Sequence, residues 1–250
     1  MSRQIVIHPD YSGLRDFITR LPEIFLHEGE YLHDGRNKIK IFDIGGLRIN
    51  VKRYRIPIVF NRVVYLYLRK TKAERAYVYA LRLQEMGICT PAPIAYIIEK
   101  KGMLLGYSYF VSIQVDYSRR FYEFGRAALT DEHVMIFEEF GRYTAHLHQQ
   151  NVCHQDYSPG NILFDLKNGR PEFCIVDINR MYFGTVSFKK GCANFARLWG
   201  SPKMFRIVAT AYAEERGWDV DRTCHEVLEA RKKHWQKVAR KREVEFPLEF

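Results

Sequence analysis

A chain of 250 residues with 47% hydrophobic and 27% charged side chains has enough apolar material for a sizeable core and too much for intrinsic disorder. Its 39 Lys and Arg against 29 Asp and Glu leave a net charge of +10, which points to anionic partners: nucleotides, nucleic acid, acidic lipid or phosphorylated glycans. No stretch reaches the roughly 18 to 20 apolar residues of a membrane helix, because the longest, 56–68, is broken by Asn61 and Arg62. The first residues lack the apolar core and cleavage site of a secretory signal. Five scattered cysteines without a C-x-x-C pair read as reduced, buried thiols, so a cytoplasmic protein is expected.

In chain order, residues 30–68 read as strands, with alternation over 38–42 and 47–52 about a turn at Gly45-Gly46. Residues 71–86 have helical spacing, closed by Gly87 and followed by Pro91 and Pro93. Two more strands follow at 96–99 and 104–111, joined by Lys101-Gly102. Beyond Asp116 the pattern turns helical, with a cap at Thr130-Asp131 before a long helix over 132–150. Short strands at 161–164 and 173–176 flank hairpin chemistry at 167–171, and from Lys189 the chain reads as helical to Arg242, with breaks at 200–202 and Gly217. The expectation is an α+β protein of two lobes: residues 1–115 as an antiparallel five-strand sheet with one internal helix, and 116–250 as a mainly helical lobe holding one small hairpin. A cleft between such lobes is the expected place for a ligand.

The strongest chemical signal is His154-Gln-Asp156-Tyr-Ser158-Pro-Gly-Asn161, with Asp177 at the end of the strand that follows the hairpin. Phosphoryl transfer needs a carboxylate to orient the attacking hydroxyl and oxygen ligands for the magnesium that offsets phosphate charge. Asp156 suits the first role, Asn161 and Asp177 the second.

This pattern resembles the catalytic and metal-binding loops of the protein-kinase-like superfamily. The resemblance implies a two-lobed kinase fold with ATP and Mg2+. It makes Lys52 the strand lysine that holds nucleotide phosphates and Glu74 the helix glutamate that pairs with it. It places Gly35, Arg36 and Asn37 in the turn over the phosphates, and Ser112 and Gln114 in the segment that meets the adenine. His154 takes a scaffold role. Lys70-Thr-Lys-Ala-Glu-Arg75, Gly87-Ile-Cys-Thr-Pro-Ala-Pro93, the 154–161 loop and Asp177-Ile-Asn-Arg-Met181 are similar to the lipopolysaccharide core kinases, which phosphorylate Kdo or heptose. That implies a glycolipid or sugar acceptor and a position open to peripheral contact with the inner membrane face.

Several features depart from protein kinases. There is no G-x-G-x-x-G loop, D-F-G becomes Asp177-Ile178-Asn179, Ser158 replaces a lysine, and no A-P-E follows Asp177. The missing peptide platform favours a glycan acceptor over a protein. A protein or other small-molecule acceptor, or a catalytically weak nucleotide-binding scaffold, stays open as an alternative. Taken singly, Lys52 reads as a solvated strand lysine and Glu74 as a helix charge pairing with Lys70 or Arg75. His146, His148 and Cys153 read as core or surface residues rather than metal ligands. The basic run 231–242 has two readings, a solvated helix face or a membrane-surface contact with Trp235 among headgroups. It also joins Arg119-Arg120 and Lys189-Lys190 as a candidate for acidic-glycan contact. No nucleic-acid module accompanies these charges, and oligomeric state is not readable.

Overall fold

Strand-period alternation shapes the first of the two units into which the chain divides, residues 1–116 and 117–250. The computed structural model describes residues 2–56, 70–102 and 104–249. In the first unit, β1 (Ser2–Ile7), β2 (Glu30–Asp34), β3 (Lys38–Ile44), β4 (Leu47–Tyr54), β5 (Pro93–Lys101) and β6 (Leu104–Ile113) form an antiparallel sheet in the order β1-β5-β6-β4-β3-β2. Gly45 and Gly46, with φ of 59° and 78°, make the two-residue turn between β3 and β4, a conformation in which a side chain would be strained.

Alternation along β4 gives the sheet two distinct faces. Ile49 and Val51 join Tyr109 and Val111 of β6 in a core that also holds Ile18 and Leu21 of α1 (Arg15–Ile24) and Phe25. Asn50 and Lys52 point the other way, beside their register partners Ser112 and Phe110, and Phe110 stands opposite Tyr96 of β5. On that face lies α2 (Lys72–Glu85), whose Tyr77 meets Tyr96 edge-on at 5.4 Å. Thr71 caps α2 by accepting from the Glu74 N–H at 3.2 Å, and Gly87 closes it at φ 72°.

The five-strand, one-helix expectation is corrected here: β1 adds a sixth strand on the β5 edge, and α1 a second helix. Both are short, and α1 carries Pro22, so neither has a long readable period; each is held by what it buries. The strand-like reading of 30–68 ends at Tyr54 within the described chain, and its remainder over 57–68 lies outside the described residues.

In the second unit, α3 (Asp131–Gln149) runs along α5 (Pro202–Arg216), with α4 (Phe188–Asn194) and α6 (Val220–Ala239) beside them. Gly141 lets α3 approach α5 closely, since a Cβ there would stand 2.5 Å from the Val208 carbonyl oxygen. The expected hairpin is β9 (Ile162–Lys167) and β10 (Arg170–Ile175), turning at Asn168-Gly169 with φ of 52° and 74°. It gains β7 (Arg119–Arg120) as a third strand, and β8 (Val152–His154) pairs separately with β11 (Met181–Phe183). Strands of two or three residues have no period to read, so the one-hairpin expectation falls short.

Within the basic run 231–242, the expectation of Trp235 among headgroups is corrected, because this residue turns inward. Val227, Arg231 and Trp235 share one stripe at four-residue spacing, and all three are buried. Arg231 donates to the carbonyls of Gly200 at 2.7 Å and Glu249 at 2.5 Å, and Trp235 meets Phe246 edge-on. Among the described residues no helix is long and apolar enough to cross a membrane.

Candidate active site

The β8–β11 pair and the β9–β10 hairpin bring Asp156, Asn161 and Asp177 into one hydrogen-bonded assembly. Register places Ile162 opposite Ile175, so the chain on either side of the hairpin meets where Val176 N–H donates to Asn161 O at 3.0 Å. Asn161 Nδ2 donates to Asp156 O at 2.8 Å, folding the loop back on itself. The buried ring of His154 ties the two strands together: its Nδ1 accepts from Asp156 N–H at 3.1 Å and its Nε2 lies 3.0 Å from Val176 O. A backbone N–H can only donate, so Nδ1 is unprotonated and the single ring proton sits on Nε2. Burial pushes the His154 pKa down and keeps the ring neutral. It is a scaffold residue, as its sequence context implies.

A second tier holds the first. Asn194 donates from Nδ2 to His154 O at 2.9 Å, which leaves its Oδ1 to accept from His148 Nε2 at 3.0 Å and from the Cys153 thiol at 3.4 Å. His148 Nδ1 therefore accepts from the Tyr212 hydroxyl at 2.8 Å. Both ring nitrogens of His148 are spent on this chain, and burial lowers its pKa to about 4. Asn194 escaped the sequence reading because no local motif marks it; it lies 40 residues from His154.

Asp177 adopts the left-handed conformation, φ 56° and ψ 42°, which Asp tolerates better than most residues. Asn179 holds it there, donating from Nδ2 to Asp177 Oδ1 at 2.5 Å. The residue that breaks the D-F-G pattern thus orients the carboxylate. Magnesium takes oxygen ligands, often from one or two protein groups with water and phosphate completing the shell. The site fits that demand: Asn161 turns its amide nitrogen to Asp156 O, so its Oδ1 points away, and Asp177 supplies a carboxylate.

Asp156 is half-buried and its two carboxylate oxygens face two guanidinium groups. Arg180 reaches Oδ2 at 3.2 Å and Arg197 reaches Oδ1 at 3.0 Å. Neither arginine was singled out in sequence, Arg180 being noted only as part of the 177–181 stretch.

In the first unit, Lys52 projects from β4 on the face covered by α2, its ammonium 5.5 Å from the Tyr54 ring centre. Glu74 stands at the start of α2, and its carboxylate pairs with Lys70 at 3.6 Å, an i,i+4 pair. Gly35 and Arg36 are exposed in the β2–β3 turn, bracketed by the Asp34–Lys38 pair, and Asn37 accepts from the Arg55 N–H at 3.2 Å. Gln114 accepts from Asn50 at 2.7 Å and donates to Val115 O at 2.8 Å. Ser112 is buried in the sheet, with Asn50 and Pro93 as its register partners.

Solved structures share this fold. A structure of WaaP in complex with acyl carrier protein matches with a TM-score of 0.65 and 14% identity, over 96% of this chain and 100% of that one. A Rio2 kinase–ADP/Mg2+-phosphoaspartate complex from Chaetomium thermophilum matches with a TM-score of 0.51 and 15% identity, over 93% and 78% of the two chains. No curated protein sequence matches the chain. The fold is protein-kinase-like, and the protein is a phosphotransferase of that class. The chain belongs to the lipopolysaccharide kinase (Kdo/WaaP) family, whose model matches residues 43–220, well over half its length. ATP use comes with that membership.

Proposed function

We propose that the protein transfers the γ-phosphoryl group of ATP to a hydroxyl on a Kdo or heptose residue of a lipopolysaccharide core. The observation that carries this reading is the hydrogen-bonded assembly of Asp156, Asn161 and Asp177 about the neutral His154 ring. Magnesium-bound ATP supplies the phosphoryl group and the cation that offsets its charge. Asp156 orients the acceptor hydroxyl, while Asn161 Oδ1 and the Asp177 carboxylate hold the cation. Lys52 binds the nucleotide phosphates beneath the Gly35-Arg36-Asn37 turn, and the backbone around Gln114 receives the adenine. Residues 1–115 act as the nucleotide lobe and 116–250 as the acceptor lobe. Such chemistry works by positioning and charge stabilisation. The surplus of +10 suits an anionic glycolipid presented at the inner membrane face.

The test is transfer of labelled γ-phosphate from ATP with magnesium to truncated lipopolysaccharide, to Kdo, to heptose and to a generic protein. Label entering the glycan with wild type and not with Asp156→Ala supports the reading. Label in the protein acceptor alone, or in none with ATP still bound, overturns it.

A further inference from the structure

The carboxylate of Asp156 is enclosed by cations, one guanidinium on each oxygen, from two short turns that come from separate parts of the chain. Each arginine side chain is about half exposed, at 50% for Arg180 and 46% for Arg197, so both forks open to solvent on the side away from Asp156. Arg197 does not stand alone. Half-buried His234 has its pKa lowered, first by burial and then by the charges of Arg197, Arg242 and Lys237. An exposed aromatic surface adjoins the same loop. The Tyr122 hydroxyl end lies where a Cβ on Gly160 would meet it at 2.7 Å, and its ring packs edge-on against Trp199, two residues from Arg197. Cations held beside a single carboxylate, next to half-exposed rings, suit a ligand that combines a negative group with a sugar face.

We propose that Arg180 and Arg197 form the acceptor's anion clamp: they pair with Asp156 and turn to a carboxylate or phosphate on the acceptor sugar when it binds, releasing Asp156 to its hydroxyl. This rests on the functional reading above and names the residues that select the acceptor. An Arg fork pairs bidentately with either anion, so the chemistry alone admits both sources. Asp156 occupies the clamp as an internal competitor of the acceptor's anion. Removing its charge therefore tightens anion binding even as it abolishes transfer, which a purely structural role for the two arginines does not produce.

Calorimetric titration of the full chain tests this with the methyl glycoside of Kdo, its neutral methyl ester, heptose and a heptose phosphate. Wild type is expected to bind an anionic sugar at least tenfold tighter than its neutral counterpart. Arg180→Gln with Arg197→Gln removes that preference, the corresponding Lys variants retain part of it, and Asp156→Asn strengthens anion binding severalfold. Preference for the Kdo acid assigns the clamp to a carboxylate, and preference only for heptose phosphate assigns it to a phosphate. Equal binding of charged and neutral sugars by wild type, or a preference that survives the double Gln variant, overturns the clamp. The transfer assay separates the two readings. Transfer to the glycan with no charge preference removes the clamp and leaves the kinase, whereas charge-selective binding without transfer removes the kinase and leaves the clamp.

Discussion

His154 Nε2 donates to the carbonyl of Val176 at 3.0 Å, one residue before Asp177. Through that bond and the one from Asp156 N–H, a single neutral ring holds the 154–161 loop and the end of β10 together. His154→Phe keeps the ring and removes both bonds, leaving a buried carbonyl and N–H without their partner. Stability is expected to fall by about 2 to 4 kcal/mol. Urea unfolding measures it, and a midpoint equal to wild type refutes the scaffold role.

Acid should weaken the protein through His148. Its pKa is about 4 in the folded state against an ordinary value of 6.5, because burial disfavours the charged ring and Arg216 and Lys190 oppose its charge, outweighing the Asn194 hydrogen bond that favours it. Between those two values the unfolded chain binds a proton that the folded one refuses. The stability contributed by the neutral ring is therefore complete above pH 6.5 and is lost as pH falls toward 4, by about 3 kcal/mol in all. His154 adds to the same trend, its pKa being lowered by burial. Unfolding measured from pH 7.5 to 4 should show this slope, and His148→Gln should flatten it.

Asp177 combines a chemical and a backbone demand. Asp177→Asn retains a residue suited to φ 56° and removes the charge, so transfer should fall about a hundredfold or more with little change in melting temperature. Asp177→Ala should lose activity equally and also about 1 kcal/mol of stability to left-handed strain. Transfer rates and melting curves of the pair, with magnesium titrated, separate the two effects. Full activity in Asp177→Asn would dismiss the cation-binding role.

Gly141→Ala tests the contact between α3 and α5. Helix propensity alone favours alanine by roughly 1 kcal/mol. The new methyl would stand 2.5 Å from the Val208 carbonyl oxygen, which belongs to backbone and cannot swing aside. Net destabilisation of about 2 kcal/mol is expected from the forced helix separation. Thermal unfolding decides, and a stabilised variant shows that α5 yields.

Much of the molecule was legible before its structure. Regular alternation marked β3 and β4, Thr71 and Gly87 bounded α2, and Asn168-Gly169 turned the hairpin that carries Asn161 and Asp177. These signals are local: caps, turns and periods act within a few residues. The spaced motif residues also pointed to the family that the family model confirms, since phosphoryl-transfer chemistry restricts residue type at each position. Only tertiary structure decided the rest. It turned Arg231 and Trp235 inward, and assembled Asn194, His148 and Tyr212 behind His154. It also set Arg180 and Arg197 on Asp156, across 24 and 41 residues of chain. Partners so far apart leave no pattern along the sequence, because the geometry and burial that select them exist only once the chain has packed.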